Sequence, residues 1–465
     1  MVHFFATIIG TIYYDHLQLV LIDRSRSEII GLLNRTVVVF SIVCCLEAIY
    51  GVMQYFGLDF FHPGGYHSYE SNVIGTFGSA NSMGCYLAAL MPFLFYSFRY
   101  HKNKIIKGAV GFSIFISVAA LVLTLSRGAW VALMGGLFFL AYPALTRFFK
   151  KKVRKGYVRV GIIICLLLMA ILFAVGAFFL NTDSALGRIF IWKVSGLMVA
   201  DHPILGVGYG NYGYQYLNYQ MKFYDNPANA VYYDKACNIK LAHSEFVHIT
   251  AETGIIGLIL FCSLIVLFFK KALDVLKKVP NAKKDDLILR TIIASFIIIV
   301  LHSLVDSVLH TLPISIMFYF VIAIISAISK KQSESDRIIS RNIRFSKKMH
   351  AVILSLGLIL LLFNIYRVIW KGIGFVYWKN GQFAVLNHKW NEGVIEYEKA
   401  IHYLPDNGEL QFHLGAAYAY IGQTRLAVTL LEESLTGFND KNIYIALSKA
   451  YQDSVPKLRE KPKSA

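Results

Sequence analysis

The chain has 465 residues, of which 56% are hydrophobic and 14% aromatic, and it carries a formal net charge of +18. Its apolar runs reach the roughly 20 residues that a helix needs to cross a bilayer, which excludes an ordinary soluble globule. The basic residues fall in short clusters between these runs rather than along one face, which argues against nucleic-acid binding. The composition therefore predicts an all-α, polytopic helical membrane protein.

The basic clusters orient the predicted spans, because Lys and Arg concentrate in cytoplasmic loops. With every cluster on the cytoplasmic side, the chain crosses the membrane about ten times. The first apolar segment has no small-residue cleavage site, so it is predicted to be a poor first span, or the remnant of one, rather than a signal peptide. The predicted spans are Met1–Ile22, Val37–Phe56, Ile74–Phe98, Ile105–Leu125, Ala129–Phe149, Tyr157–Leu180, Ile249–Phe269, Leu287–His310, Pro313–Ser329 and Ala351–Trp370.

This topology brings Arg127, Arg188 and His243 to one external face of the membrane. Arg127 at a span end is either an interfacial anchor or a functional group, and a cation on the outer face runs against the positive-inside pattern. Arginine binds phosphate through two parallel hydrogen bonds, and neutral histidine accepts a hydroxyl proton. The three side chains suit attack by a sugar hydroxyl on a glycan whose leaving group is a lipid diphosphate.

His243 opens the most distinctive motif of the chain. His243 and Ser244 are followed by nine residues and then by Gly254 and Gly257, which lead into an apolar run. An ionisable group at the mouth of a membrane helix is costly to keep without a function. In the next predicted span, His302 and Asp306 are spaced to share one helix face, either as a structural pair or as support for the site.

The long external loop, about 181–248, is rich in tyrosine and glycine. The tyrosines either anchor the loop in the membrane interface or stack on sugar rings. No strand precedes Gly206, Gly208 and Gly210, so these residues are predicted to form flexible turns rather than a nucleotide site. The sequence has no P-loop, no HExxH and no metal-ligand cluster, and it therefore predicts no cofactor and no metal.

After Trp370 the hydropathy falls and the periodicity changes. Leu414, Gly415, Tyr418 and Ala427 fit the tetratricopeptide repeat of about 34 residues. The prediction is a membrane domain over 1–375 and a C-terminal α-solenoid over 376–465, placed on the external side by the last span. Such a module offers a surface to a protein partner or a polymer.

Several motifs in this order resemble the O-antigen ligase/polymerase superfamily of membrane glycosyltransferases, which includes lipopolysaccharide O-antigen ligases, repeat-unit polymerases and pilin O-oligosaccharyltransferases. Together they cover roughly residues 70–330. The motifs are GTFGSAN at 75–81, LTLSRGA at 123–129, Arg188 with Ile191-Trp192, HPILGVG at 202–208, His243-Ser244-x9-Gly254-x-x-Gly257 and HSLVD at 302–306.

The resemblance implies a glycan donor linked to undecaprenyl diphosphate, a glycan, lipid or protein acceptor, and inverting transfer without a metal. On the matching positions, Arg127 and Arg188 would hold the diphosphate and His243 would activate the acceptor. Ser244 stands where many relatives carry Asn. The remaining predicted site residues are Asn81, Trp192 and Ser244 as substrate contacts, with His302 and Asp306 in support.

The resemblance places the protein in a bacterial cytoplasmic membrane as a surface-polysaccharide ligase or polymerase. Relatives usually carry more N-terminal spans, so the abrupt start predicts that N-terminal helices are missing from this chain. A different class remains open, a non-catalytic membrane scaffold or transporter that displays the repeats. A transporter would line successive spans with polar residues at mid-depth, whereas here they gather at one face.

Overall fold

The computed structural model describes residues 26–59, 73–152, 182–236, 238–278, 284–336, 347–435, 438 and 440–454. These residues form α-helices and short 3-10 turns without a strand, which confirms the predicted all-α membrane fold. The helices are α1 (Arg26–Tyr55), α2 (Ala80–Tyr100), α3 (Lys104–Leu123), α4 (Arg127–Lys152), α5 (Thr182–Asp201), α6 (Tyr212–Tyr224), α7 (Glu245–Lys277), α8 (Lys284–Ser303), α9 (Leu312–Asp336), α10 (Lys347–Leu386), α11 (Trp390–Tyr403), α12 (Gly408–Tyr420), α13 (Thr424–Ser434) and α14 (Lys441–Ser454).

Six of the described helices have the length and hydropathy of a membrane span, namely α1, α3, α4, α7, α8 and α9. Most of the apolar surface of α1, α3, α4 and α7 is exposed, with 17–28% of each span window buried, as expected for helices that face lipid. The windows of α8 and α9 are 72% and 67% buried, so these two helices lie inside the bundle. The predicted spans Met1–Ile22 and Tyr157–Leu180 lie outside the described residues.

Helix α2 forms much of the bundle core. The predicted span Ile74–Phe98 corresponds to this helix, which starts later, at Ala80, because the side chain of Ser79 caps its first turn. Most of its residues are buried on all sides, and it packs against α1, α3, α4 and α8. A helix that is enclosed by other helices needs less hydropathy than one that faces lipid, which explains why α2 is absent from the six apolar spans.

The glycine-rich segment that follows α5 docks directly on α7. The N–H groups of Val207 and Gly208 donate to main-chain carbonyls of α7 at 2.9 and 3.0 Å, and Ile255 donates back to the carbonyl of Pro203 at 2.9 Å. Helix α7 kinks at Gly254, whose φ of 66° is left-handed. A Cβ on Gly254 would lie 2.1 Å from the carbonyl oxygen of Ile204. The segment that was predicted to form flexible turns is thus hydrogen-bonded through its main chain to α7, and only glycine permits so close an approach.

The chain divides into two compact units. The first comprises residues 1–212, 231–235 and 241–341, and the second 213–230, 236–240 and 342–465. The predicted external loop is therefore shared between the units instead of forming one piece. The predicted last span, Ala351–Trp370, lies within α10 in the second unit.

In the second unit, the helices from α10 to α14 each pack against the next, joined by short connections. Their common core includes Tyr397, Leu414, Ala427 and Leu447. The loop segment 236–240 also belongs to this unit, where Lys240 pairs with Glu409 at 2.6 Å. Consecutive packing of short helices is the arrangement that a helical repeat requires, and the tetratricopeptide assignment remains a prediction.

Candidate functional site

His243 lies in the connection that leads into α7, and its backbone is left-handed with a φ of 50°. Histidine tolerates this region better than bulky residues do, but the conformation still needs support from its surroundings. The Nδ1 atom of His243 lies 3.1 Å from Oδ1 of Asp306, and 37% of the imidazole side chain is exposed. If Nδ1–H donates to the carboxylate, the Nε2 atom is left as a proton acceptor.

Asp306 is held in place by the main chain as well as by His243. Its Oδ1 accepts the N–H of Ser307 at 2.8 Å, and its own N–H donates to the carbonyl of His302 at 3.0 Å. Burial alone would raise the pKa of Asp306, but the hydrogen bond and charge of His243, with the charges of His302 and Arg188, lower it to about 2. Asp306 is therefore ionised at neutral pH.

The helix that was predicted to extend to His310 ends at Ser303. Asp306 consequently lies in the turn beyond α8, although its main chain remains hydrogen-bonded to that of His302. This position lets its carboxylate reach the connection before α7. His302 itself is buried, with 1% of its surface exposed, and its ring is near enough to Asp306 to interact with it electrostatically.

Arg127 is the first residue of α4 and is half-buried. The turn before it is fixed by Ser126, whose hydroxyl donates to the side-chain oxygen of Asn81 at 2.9 Å. The next residue, Gly128, allows a close approach to α8, because a Cβ there would lie 2.9 Å from Val305 and 3.2 Å from the His302 ring. The Ser-Arg-Gly motif thereby sets Arg127 beside the end of α8.

Arg188 lies in helix α5, not in the polar loop expected from the sequence. Its guanidinium is near enough to interact electrostatically with Arg127, with Asp306 and with His302. Two neighbouring cations repel each other, and an anionic ligand between them would offset this repulsion. A diphosphate has the charge and oxygen geometry that two guanidinium forks bind.

The remaining predicted substrate contacts have structural bonds. The indole N–H of Trp192, also on α5, donates to the carbonyl of Ala242 at 2.9 Å. The hydroxyl of Ser244 caps α7 by accepting the N–H of Val247 at 3.5 Å. Asn81 accepts from Ser126. Through these bonds all three side chains help to shape the site. Contact of these side chains with substrate remains a prediction.

Sequence reasoning missed two groups that lie next to this motif, Glu245 and His310. Glu245 is fully buried at the start of α7, and its Oε1 accepts the N–H of Leu309 at 2.5 Å. The Nε2 of His310 lies 3.1 Å from Nε2 of His248. Both residues lie near recognised motifs in the chain, but the spacing of the sequence does not indicate the contacts that they make in the folded protein. Among the described residues, no group of three or more His, Cys, Asp or Glu is arranged to hold a metal ion.

The fold and this cluster define a multi-pass membrane protein with a histidine–carboxylate pair beside two guanidinium groups. Residues 112–262 match the protein-family model described as O-Antigen ligase, so this segment of the chain is similar to the O-antigen ligase family. A search of curated proteins finds no match. The matched segment contains Arg127, Arg188 and His243, whereas Asp306 lies outside it.

Proposed function

We propose that this protein transfers or polymerises a glycan from a lipid-diphosphate donor on the outer face of the bacterial cytoplasmic membrane. The family match supports a membrane glycan ligase or polymerase. The single observation that carries the finer proposal is the His243–Asp306 pair at 3.1 Å, with Arg188 in electrostatic reach of both Asp306 and Arg127. A base and an anion-binding pair are the two elements that this reaction needs.

In the proposed reaction, Nε2 of His243 accepts the proton of an acceptor hydroxyl. The acceptor oxygen forms a bond to the anomeric carbon as the bond from that carbon to the diphosphate oxygen breaks. The lipid diphosphate leaves with the bonding electrons, and Arg127 and Arg188 neutralise the charge that develops on it. Asp306 stabilises the imidazolium formed on His243, as a buried carboxylate does for a histidine base. No step of this sequence requires a metal.

Surface-glycan profiling on gels tests this proposal in a strain deleted for the gene and complemented at matched protein levels. We expect wild type to restore long or attached glycan and His243→Ala to fail. His388→Ala is a matched control, because His388 is an exposed histidine with a similarly left-handed φ of 59° in the second unit. The length and attachment of the restored glycan distinguish a polymerase from a ligase.

Equal restoration by wild type and His243→Ala would make His243 structural and favour the non-catalytic scaffold or transporter instead. The C-terminal helical module adds a partner-binding or polymer-binding surface to the proposed enzyme. Its external location follows from the predicted topology and is part of the proposal.

A further inference from the structure

The residue that precedes His243 is held at both of its main-chain polar groups by buried or half-buried side chains. The carbonyl of Ala242 accepts the indole N–H of Trp192 at 2.9 Å. The N–H of Ala242 donates to Nδ1 of His248 at 3.3 Å. Ala242 itself is fully buried, so water cannot easily replace either partner. We call these two contacts the Ala242 clamp.

The clamp acts on the backbone angle that directs the His243 ring. The carbonyl of Ala242 lies in the same planar peptide unit as the nitrogen of His243, so fixing this carbonyl fixes the plane from which φ of His243 is measured. On the other side, the Ser244 cap and the N–H of His248, which donates to the carbonyl of Ser244 at 2.9 Å, fix the start of α7. The left-handed φ of His243 is thus imposed from both directions.

His248 is itself oriented by a buried network. Its Nε2 lies 3.4 Å from Oε1 of Glu252 and 3.1 Å from Nε2 of His310. Glu252 also accepts the N–H of Tyr212 at 3.1 Å, and the Tyr212 ring packs on the His248 ring at 4.6 Å. Because Nδ1 of His248 accepts a hydrogen bond from Ala242, its proton is on Nε2, where it points at the acceptors Glu252 and His310.

We propose that Trp192 and His248 are positioning residues for the transfer reaction, and that they act by holding the carbonyl and the N–H of Ala242 so that His243 meets its acceptor in one orientation. This inference rests on the proposed function. Neither side chain needs to touch substrate to have this effect. A displacement of about 1 Å in a catalytic group costs on the order of 100-fold in rate, so losing one side of the clamp lowers kcat without weakening donor binding.

Amide substitutions at position 248 test the two nitrogens of the imidazole separately. The side-chain oxygen of Asn falls near the position of Nδ1, so His248→Asn keeps an acceptor for Ala242. The amide of Gln reaches the position of Nε2, so His248→Gln keeps contact with Glu252 and His310 and loses the clamp. If His248 only stabilises the buried network, His248→Gln should be the more active variant. If the clamp operates, His248→Asn should be the more active variant.

The experiment measures kcat and KM on purified protein in lipid nanodiscs. The donor is the lipid-diphosphate-linked glycan extracted from the deletion strain, and rates are normalised to folded protein from size-exclusion profiles. We expect Trp192→Phe and His248→Gln to lower kcat about 10- to 100-fold with KM for the donor nearly unchanged. We expect His248→Asn to recover most of the rate. Trp390→Phe, in the second unit, controls for the change of ring.

The inference is overturned if His248→Gln turns over as wild type does while His248→Asn does not, or if Trp192→Phe keeps full kcat. It is also overturned if the losses disappear after normalisation to folded protein. The proposed function has a separate test in the same assay. If His243→Ala is inactive while Trp192→Phe and His248→Gln are fully active, only the clamp is wrong. If His243→Ala retains full activity, the proposed base is wrong.

Discussion

Replacing Asp306 with asparagine separates the charge of this side chain from its shape. The carboxylate is buried against His243, and asparagine has nearly the same volume and keeps an oxygen for the N–H of Ser307. The neutral amide removes the anion that stabilises a protonated His243. We therefore expect Asp306→Asn to fold and to bind donor, and to lose rate in the step in which His243 takes up a proton.

The size of the loss follows from the environment of the carboxylate. Its surroundings lower the pKa of Asp306 from 3.8 to about 2. Since one pKa unit corresponds to about 1.4 kcal/mol, the ionised form is favoured by roughly 2–3 kcal/mol. A hydrogen bond to a charged group contributes about 1.5–3 kcal/mol, so losing the anionic partner of His243 in the transition state should lower kcat roughly 10- to 100-fold.

The measurement is the pH dependence of kcat/KM in the nanodisc assay. Because the pKa of Asp306 is depressed, its ionisation contributes stability that is present above about pH 4 and lost as the pH falls toward about 2. A change in kcat/KM near neutral pH therefore does not reflect the titration of Asp306. Asp306→Asn should lower the plateau of kcat/KM, because the imidazolium formed on His243 during the reaction loses its anionic neighbour.

Asp286→Asn is the matched control. Asp286 is buried as deeply as Asp306, with 6% of its surface exposed, and its carboxylate pairs with Arg290 at 3.0 Å near the opposite end of α8. This variant should lower stability and leave kcat/KM of the folded enzyme unchanged. An Asp306→Asn enzyme with wild-type kcat and kcat/KM would refute the role of Asp306 in supporting the base.

Three further predictions concern the cation pair, the dock and the topology. Arg127→Lys keeps the charge and loses the guanidinium fork, so we expect the transfer rate to fall about 10- to 100-fold. The control Arg147→Lys, at the exposed far end of α4, should transfer normally. Equal rates for the two variants would mean that Arg127 only anchors the helix at the membrane interface. Gly254→Ala places a Cβ against the docked segment at a left-handed φ, so it should lower both the unfolding temperature and the activity. In the control Gly196→Ala the new Cβ meets nothing within 4 Å, so neither the unfolding temperature nor the activity should fall. A reporter fused after Trp370 should be active only on the external side, and cytoplasmic activity would contradict the predicted orientation of the C-terminal helices.

The sequence alone was sufficient for the fold class and for the six apolar spans found among the described residues, because hydropathy and helix length follow directly from the need to satisfy backbone hydrogen bonds in lipid. It also indicated Arg127, Arg188 and His243 as one site, since charge bias places them on one face. It also predicted a motif that joins His243 with Gly254. The structural role of Gly254, which lets α7 kink and pack against the segment after α5, was not visible in the spacing.

Only the tertiary structure decided which carboxylate serves His243 and what holds the backbone there. Asp306 is 63 residues from His243 in the chain, and the end of α8 at Ser303 turns it toward a different partner than helical periodicity predicts. The Ala242 clamp joins Trp192 and His248 through hydrogen bonds to the two successive peptide groups that flank Ala242. Main-chain donors and acceptors are the same at every residue except proline, so a sequence carries no mark of which peptide a distant side chain will bind.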